Sequence, residues 1–408
     1  MSNRQALVYL TFMASIAGAL AILTVLLAVA VDPYWMWNMH PVSGLTAMKP
    51  RVFHHYVLSK TYLLERQTPK TLLLGNSRVE VGLDPDSPMW PEAAKPVFNA
   101  ALSAYDLSAS LAMLRETFAT HAPETIIVGV DFPDFLSTAE GPPKTDQSEA
   151  EARLPIGADG KPNPKRSWQV WKDRFATTLN VDALLDSLLT LTDQRPAASA
   201  TMMRNGFNPH NPYRVFAARS GYHVIFAEKN ADYVAQYAKF ALPDFSDLYN
   251  NAEFRYLVEI VHLAAERNTR LIVYIHPYHR EYLDLLSDKG SWNAFENWKR
   301  ALVRVSRREA GDKRNLMQVW DFSGYNPITT EPVPAAGDTR TRMQWYWESG
   351  HYKSELGERL IARMMGGHSD FGREVTEDNV ESVLAEIREE RSRLTGSVIP
   401  VSKRSTDR

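Results

Sequence analysis

The chain has 408 residues, with 46 Lys and Arg against 48 Asp and Glu and a formal net charge of −2. That balance offers no basic surface to a nucleic-acid backbone. Cysteine is absent, which rules out a disulfide framework and leaves both exported and cytosolic locations open. Ten Trp and 17 Tyr suit stacking against sugars, although most such residues serve as ordinary core and surface.

The first element is an apolar run, Ala6 to Val31, of about 26 positions without a formal charge. Spanning a bilayer takes roughly 20 apolar residues, so the run reads as a membrane anchor. Arg4 precedes it and Asp32 follows it. The positive-inside rule then keeps the N-terminus cytoplasmic and exports the rest. Ala28-Val29-Ala30 resembles a small-residue cleavage site, so a signal peptide is the competing reading. The length of the run favours an uncleaved anchor over 1–31. Residues 32–69 read as a juxtamembrane connector rich in aromatics, with Trp35 and Trp37 expected at the bilayer interface.

From residue 70 to 366 the pattern is that of an α/β domain. Thr71–Leu74 and Val97–Ala100 read as strands, and Leu107–Ala119 as a helix with Leu107, Leu111, Leu114 and Phe118 on one face. Thr125–Val130 is continuous in apolar character, as a doubly covered parallel strand should be. A helix over Leu257–Arg267, a strand over Arg270–Ile275 and a helix over Trp292–Glu309 follow. A strand over Val319–Phe322 and a closing helix over Lys353–Met365 complete the alternation. It predicts a parallel sheet with helices on both faces, with sites at the C-terminal strand ends. The stretch 133–254 interrupts it. Gly141–Lys165 reads as a surface loop, Trp168–Thr192 as helical and Met202–Tyr213 as a loop, together a cap or lid. Residues 367–408 form a charged tail, helical over Glu377–Arg393 and polar and mobile at its end.

Two segments carry chemistry. Leu74-Gly75-Asn76-Ser77-Arg78 places a serine on a tight turn directly after a strand. Far downstream, Glu348-Ser349-Gly350-His351 puts a carboxylate three residues before a histidine. A serine hydroxyl becomes a nucleophile when a base takes its proton and a third group holds that base. Ser77, His351 and Glu348 supply those three roles. Each also has an ordinary reading: Gly-Asn-Ser is a common turn, Glu348 a solvated carboxylate, and His351 a surface residue capping the helix near Lys353. The Gly-x-Ser-x-Gly elbow is absent. His276-Pro277-Tyr278-His279 has two histidines three apart, but no further spacing builds a metal cage around them, so a cleft-lining role suits His276 better.

The Gly-Asn-Ser block after strand one and the Glu-x-x-His block near the end resemble the SGNH/GDSL hydrolase superfamily. Both depart from its commonest form, Gly-Asp-Ser and Asp-x-x-His. With the N-terminal anchor, the chain looks like the membrane-anchored, alginate-type exopolysaccharide O-acetyltransferases. The resemblance covers roughly residues 70–135 and 270–365. It implies a flavodoxin-like three-layer parallel sheet, with a long insertion and a transmembrane helix. It implies that Ser77 accepts an acyl group without any cofactor or metal, while His351 shuttles protons and Glu348 orients His351. The oxyanion donors would be the Ser77 N–H and a backbone N–H of Ser103 or Ala104, because block two, Asn99 to Ala104, has no glycine. Block three carries Asp131 where the family has Asn, and an ionised Asp131 cannot donate; it would instead hold Arg78 or orient the loop. The implied partners are a polysaccharide substrate and a multispanning membrane O-acyltransferase, at a bacterial inner membrane with the domain in the periplasm. Two other functions fit the same residues: an inactive glycan-binding or scaffolding component of an export complex, and a lipid or small-ester esterase.

Overall fold

The computed structural model describes residues 3–138, 152–157, 161–195 and 201–396. Of the surface loop expected over 141–165, residues 141–151 and 158–160 lie outside the described residues, as does the polar end past 396. The protein is mixed α/β, with a mostly parallel sheet and an N-terminal apolar helix. Its contacts divide it into two compact units. One comprises Met1–Asp86, Glu92–Glu124 and Lys144–Phe216; the other comprises Ser87–Pro91, Thr125–Pro143 and Ala217–Arg408.

The first unit begins with α1 (Asn3–Val31), 29 residues with a mean hydropathy of 2.5 in its most apolar window. At 1.5 Å per residue it extends about 43 Å, enough to cross a hydrocarbon core of about 30 Å. Its side chains are exposed except at the C-terminal end, where Ala28 and Val31 are buried. There Lys49 Nζ donates to the Val31 carbonyl at 2.7 Å, filling an acceptor that the helix end leaves open. The Asp32 carboxylate accepts the N–H groups of Trp37 (3.0 Å) and Met39 (3.1 Å). Trp35 is buried beneath Lys49, whose Nζ lies 4.6 Å from the ring centroid. Trp37 packs against the cluster of Met36, Leu58 and Tyr62. The stretch 32–69 also holds α2 (Tyr56–Glu65), which packs against a helix further along.

Strand β1 (Thr71–Leu74) is followed by the short α3 (Ser77–Gly82). Strand β2 (Val97–Asn99) pairs with β1 in parallel, Leu72 opposite Phe98. The partner of α2 is α4 (Leu107–Thr120), capped by Asp106, whose carboxylate accepts the Ser108 N–H at 3.0 Å. The Asn99 N–H donates to the Asn205 carbonyl at 2.9 Å, which covers the backbone of β2 with the 203–207 turn. Gly206 is required in that turn: its φ is +83°, and a Cβ would stand 2.0 Å from the Asn99 carbonyl oxygen. The unit is completed by α5 (Arg166–Ala176) and by α6 (Val181–Thr192), which packs on α1. Helix α7 (Asn211–Ser220) runs across the division.

In the second unit β3 (Thr125–Val130) is fully buried. Strand β4 (Ser137–Thr138) forms an antiparallel ribbon with β5 (Phe240–Ala241), and α8 (Tyr222–Tyr237) lies between them in sequence. Helix α9 (Ala252–Glu266) opens at Asn251, whose side chain accepts the Phe254 N–H. Strand β6 (Arg270–Ile275) then pairs in parallel with β3. Helices α10 (Arg280–Asp288) and α11 (Trp292–Glu309) precede β7 (Met317–Asp321), which is parallel to β6. After α12 (Ser354–Met364), the two-residue β8 (Arg373–Glu374) pairs antiparallel with β7. An all-parallel sheet is therefore corrected to one with an antiparallel edge, a common variation on parallel sheets. The helix expected over Lys353–Met365 is α12, and the helix expected in the tail over Glu377–Arg393 is present as well. Helix α13 (Val380–Gly396) follows and packs on α11 through a face that buries Val383, Leu384 and Ile387.

A buried ion pair sits at the heart of the first unit. Lys60 Nζ lies 3.7 Å from Glu80 Oε1, and neither side chain is exposed to solvent. Burial pushes Lys60 down to about 8, against the pull of Glu80. Removing one partner leaves the other charge buried and alone. We expect Lys60→Met to cost about 3–5 kcal/mol. Lys60→Met combined with Glu80→Leu should cost less than Lys60→Met alone. Guanidinium unfolding midpoints in detergent would check this; equal or greater loss in the double variant would refute the pairing.

Candidate active site

The serine block is built by strand, turn and helix within the first unit. Leu72, Leu73 and Leu74 are fully buried. The chain then turns at Gly75, whose φ of +139° lies in the region that disfavours a side chain. Asn76 caps α3, its side-chain oxygen accepting the Arg78 N–H at 3.1 Å. Ser77 is the first residue of α3 and is half-buried, while Asn76 and Arg78 are buried.

Block two is fastened beside this turn. The Asn99 carboxamide donates to the carbonyls of Val79 (3.0 Å) and Leu83 (2.9 Å), and its oxygen accepts the Ala101 N–H at 3.2 Å. The Leu102 N–H donates to the Gly75 carbonyl at 2.9 Å. From behind, Lys60 donates to the Ala101 carbonyl and Ser103 Oγ donates to Glu80. The Ser103 N–H points at the Tyr56 hydroxyl oxygen, 3.4 Å away. Ala104 has a positive φ of 63°. The sequence reading of this segment omits Asn99, Lys60, Glu80 and Tyr56 from the frame of the turn. Only Asn99 left a sign of it, as a polar residue ending a buried strand.

The base and acid belong to the second unit, where the structure brings Glu348 and His351 together. They occupy a tight hairpin turn: the Trp347 N–H donates to the His351 carbonyl at 2.9 Å, and Tyr346 bridges antiparallel to Tyr352. His351 Nδ1 is hydrogen-bonded to Glu348 Oε1. A carboxylate only accepts, so Nδ1 carries the proton and Nε2 is the basic nitrogen of the neutral ring. The Glu348 side chain is fully buried, whereas that of His351 is 17% exposed. Glu348 is satisfied from three sides, since it also accepts the Gly350 N–H at 2.7 Å and the Tyr233 hydroxyl at 3.2 Å. Tyr233 lies on α8, more than a hundred residues upstream, and no spacing in the sequence links it to Glu348.

The segment after β6 holds this turn in place. The Tyr346 hydroxyl donates to the Pro277 carbonyl at 2.9 Å, and the His279 N–H donates to the Ser349 carbonyl at 3.1 Å. The Tyr274 and Tyr352 hydroxyls lie 2.9 Å apart. His276 is fully buried, with its ring near those of Tyr274, Tyr278 and Tyr352. Asp131, at the end of β3, is buried and accepts from the Tyr278 hydroxyl at 2.5 Å, and Tyr278 Oη in turn accepts the Phe132 N–H at 3.2 Å. Among the described residues no group of three or more His, Asp or Glu side chains could hold a metal ion. A groove of about 440 Å³ in the first unit, lined by Arg66, Gln67, Asp86 and Arg204, includes none of the site residues.

His279 caps α10. Its Nδ1 accepts the Glu281 N–H at 3.3 Å, and its Nε2 donates to the Glu331 carbonyl at 2.8 Å. Both nitrogens are thereby used by the neutral ring. Burial, chiefly, pushes its pKa from 6.5 down to about 4. The unfolded chain therefore binds the proton first as pH falls. The contribution of His279 is complete above pH 6.5 and is lost on the way down to pH 4. The difference is on the order of 3 kcal/mol. His279→Asn keeps a capping oxygen and does not titrate. Its unfolding temperature should fall less between pH 7 and pH 4 than that of the wild type; parallel curves would exclude the assignment.

No family model, curated protein or solved structure matches the chain.

Proposed function

We propose that the chain transfers or removes acyl esters, most simply acetyl, on a cell-surface polysaccharide. Ser77 is the nucleophile, His351 the base and Glu348 its positioning residue. The observation that carries this reading is the Glu348–His351 pair. A buried carboxylate with three donors fixes one tautomer of a partly exposed imidazole, which is how a general base is prepared. Ser77, half-buried at a strand-to-helix turn, adds a hydroxyl in a setting typical of a nucleophile.

In the proposed reaction Ser77 Oγ attacks the acyl carbonyl carbon and its proton passes to His351 Nε2. The C–O bond to the donor alcohol breaks, and that oxygen leaves with the proton from His351. A sugar hydroxyl, or water, then gives its proton to His351 and attacks the acyl-serine, which releases the acylated or hydrolysed product and restores the Ser77 hydroxyl. With α1 as a single-pass anchor and the positive-inside orientation, this chemistry takes place on the extracytoplasmic side. A multispanning membrane acyltransferase would be the source of the acyl donor.

One observation favours a second reading, a glycan-binding or scaffolding protein without catalysis. The Ser103 N–H is directed at the Tyr56 hydroxyl, so one of the candidate oxyanion donors is committed elsewhere.

The test compares polymer acylation in cells carrying wild type, Ser77→Ala or a deletion, together with hydrolysis of p-nitrophenyl acetate by the purified protein. Ser77→Ala and His351→Ala should each lower turnover by roughly 10³-fold or more, with the unfolding temperature nearly unchanged for Ser77→Ala. Loss of acylation on deletion but not in Ser77→Ala would establish the scaffold. Hydrolysis that depends on Ser77, without any change in the polymer, would establish an esterase.

A further inference from the structure

Helices α5 and α6 are inside out. On α6 the buried positions are Ala183, Asp186, Ser187 and Thr190, and the exposed ones include Val181, Leu185 and Leu188. The polar face is engaged within the unit: the Asp186 carboxylate meets the Tyr34 hydroxyl and His54 Nδ1, each at 2.7 Å. On α5 the buried residues are Gln169 and Asp173. Asp173 accepts two bonds from Arg153, at 2.8 and 3.0 Å, and one from the Tyr62 hydroxyl at 2.9 Å. Outward from the same helix stand Trp168, Trp171 and Phe175, 66%, 61% and 48% exposed. Their rings are stacked in a row, with centroids 6.4 and 6.2 Å apart.

A surface helix in water turns its apolar stripe to the core. Contiguous exposed apolar surface of this kind marks a site that something other than water covers. The place of α5 and α6 in the unit says what covers them. Helix α6 packs on α1, and α1 is buried only at Ala28 and Val31, the end that leaves the apolar span. The outward face of α6 thus continues the lipid-facing surface of α1. Trp is the residue type enriched at the level of the headgroups, and exposed Lys165 and Lys172 flank the aromatic row, as on helices that lie in a bilayer surface.

We propose that α5 and α6 lie in the membrane interface on the C-terminal side of α1, with their apolar faces in lipid, and dock the first unit against the bilayer. The proposal rests on α1 crossing the membrane and is independent of the role of Ser77. The absence of cysteine makes it testable with single reporters in the full chain. A fluorophore would be attached at Leu188→Cys or Trp171→Cys in protein reconstituted into phosphatidylcholine–phosphatidylglycerol vesicles. Leu26→Cys on α1 serves as the lipid reference and Glu92→Cys as the water reference. Brominated lipids should quench the probes at 188 and 171 as they quench the probe at 26. Aqueous iodide should quench them several-fold less than the probe at 92. Iodide quenching equal to that at 92 would overturn the proposal. So would disulfide cross-linking between two Leu188→Cys copies without lipid quenching, because a second copy would then cover the face.

Discussion

A charge taken out of water must find its compensation inside the protein, and that requirement recurs at every important place in this chain. Lys60 faces Glu80, and Arg153 grips Asp173. Lys299 donates to Asp321 and Ser323, each at 2.7 Å. Glu348 gathers a histidine, a backbone N–H and a tyrosine. The Coulombic gain in such pairs is largely offset by desolvation, so they contribute less to net stability than their short distances suggest. Their effect is to discriminate. Any packing that separates the partners strands a charge, and that costs several kcal/mol.

The same requirement shapes the candidate site. Glu348 is held from its own turn and from α8 at once, so its carboxylate has one position. The His351 ring has one tautomer as a result. The turn is fastened in its own right to the segment after β6 by the Tyr346 and His279 contacts. In the other unit the Ser77 turn is fixed by Gly75, by the Asn76 cap and by block two, which the Lys60–Glu80 pair supports from beneath. Polar side chains that touch no substrate thus decide where the reactive ones stand.

The parts legible in the sequence are those where local pattern and burial agree. Thr71–Leu74, Thr125–Val130 and Arg270–Ile275 read as strands because nearly every residue in them is buried. Trp292–Glu309 reads as a helix because its apolar stripe faces the core. The Glu348–His351 contact was visible because three residues of a turn bring the two side chains together. What stayed hidden depends on distant neighbours or on elements too small to carry a period. Tyr233 reaches Glu348 from far upstream, His279 acts as a cap, and β8 is two residues long. Lys60 is a buried lysine in a helix whose sequence gives no hint that Glu80 awaits it.

The apolar end of the chain shows a different limit. Periodicity reveals that α5 and α6 are two-faced, yet it does not say which face turns outward, because a stripe of Leu and Trp fits a protein core and a lipid layer equally well. Trp35 and Trp37, which follow the apolar helix, pack within the first unit. Trp168 and Trp171, from a stretch more than a hundred residues later, face outward. The deciding information lies in the polar side of each helix. Asp173 and Asp186 need donors, and Arg153, Tyr62, Tyr34 and His54 supply them only if those sides turn inward. Satisfying the carboxylates thereby forces the apolar faces out, beside α1, the one helix among the described residues long and apolar enough to cross a membrane. The orientation of a surface so rich in Trp and Leu is set by two aspartates.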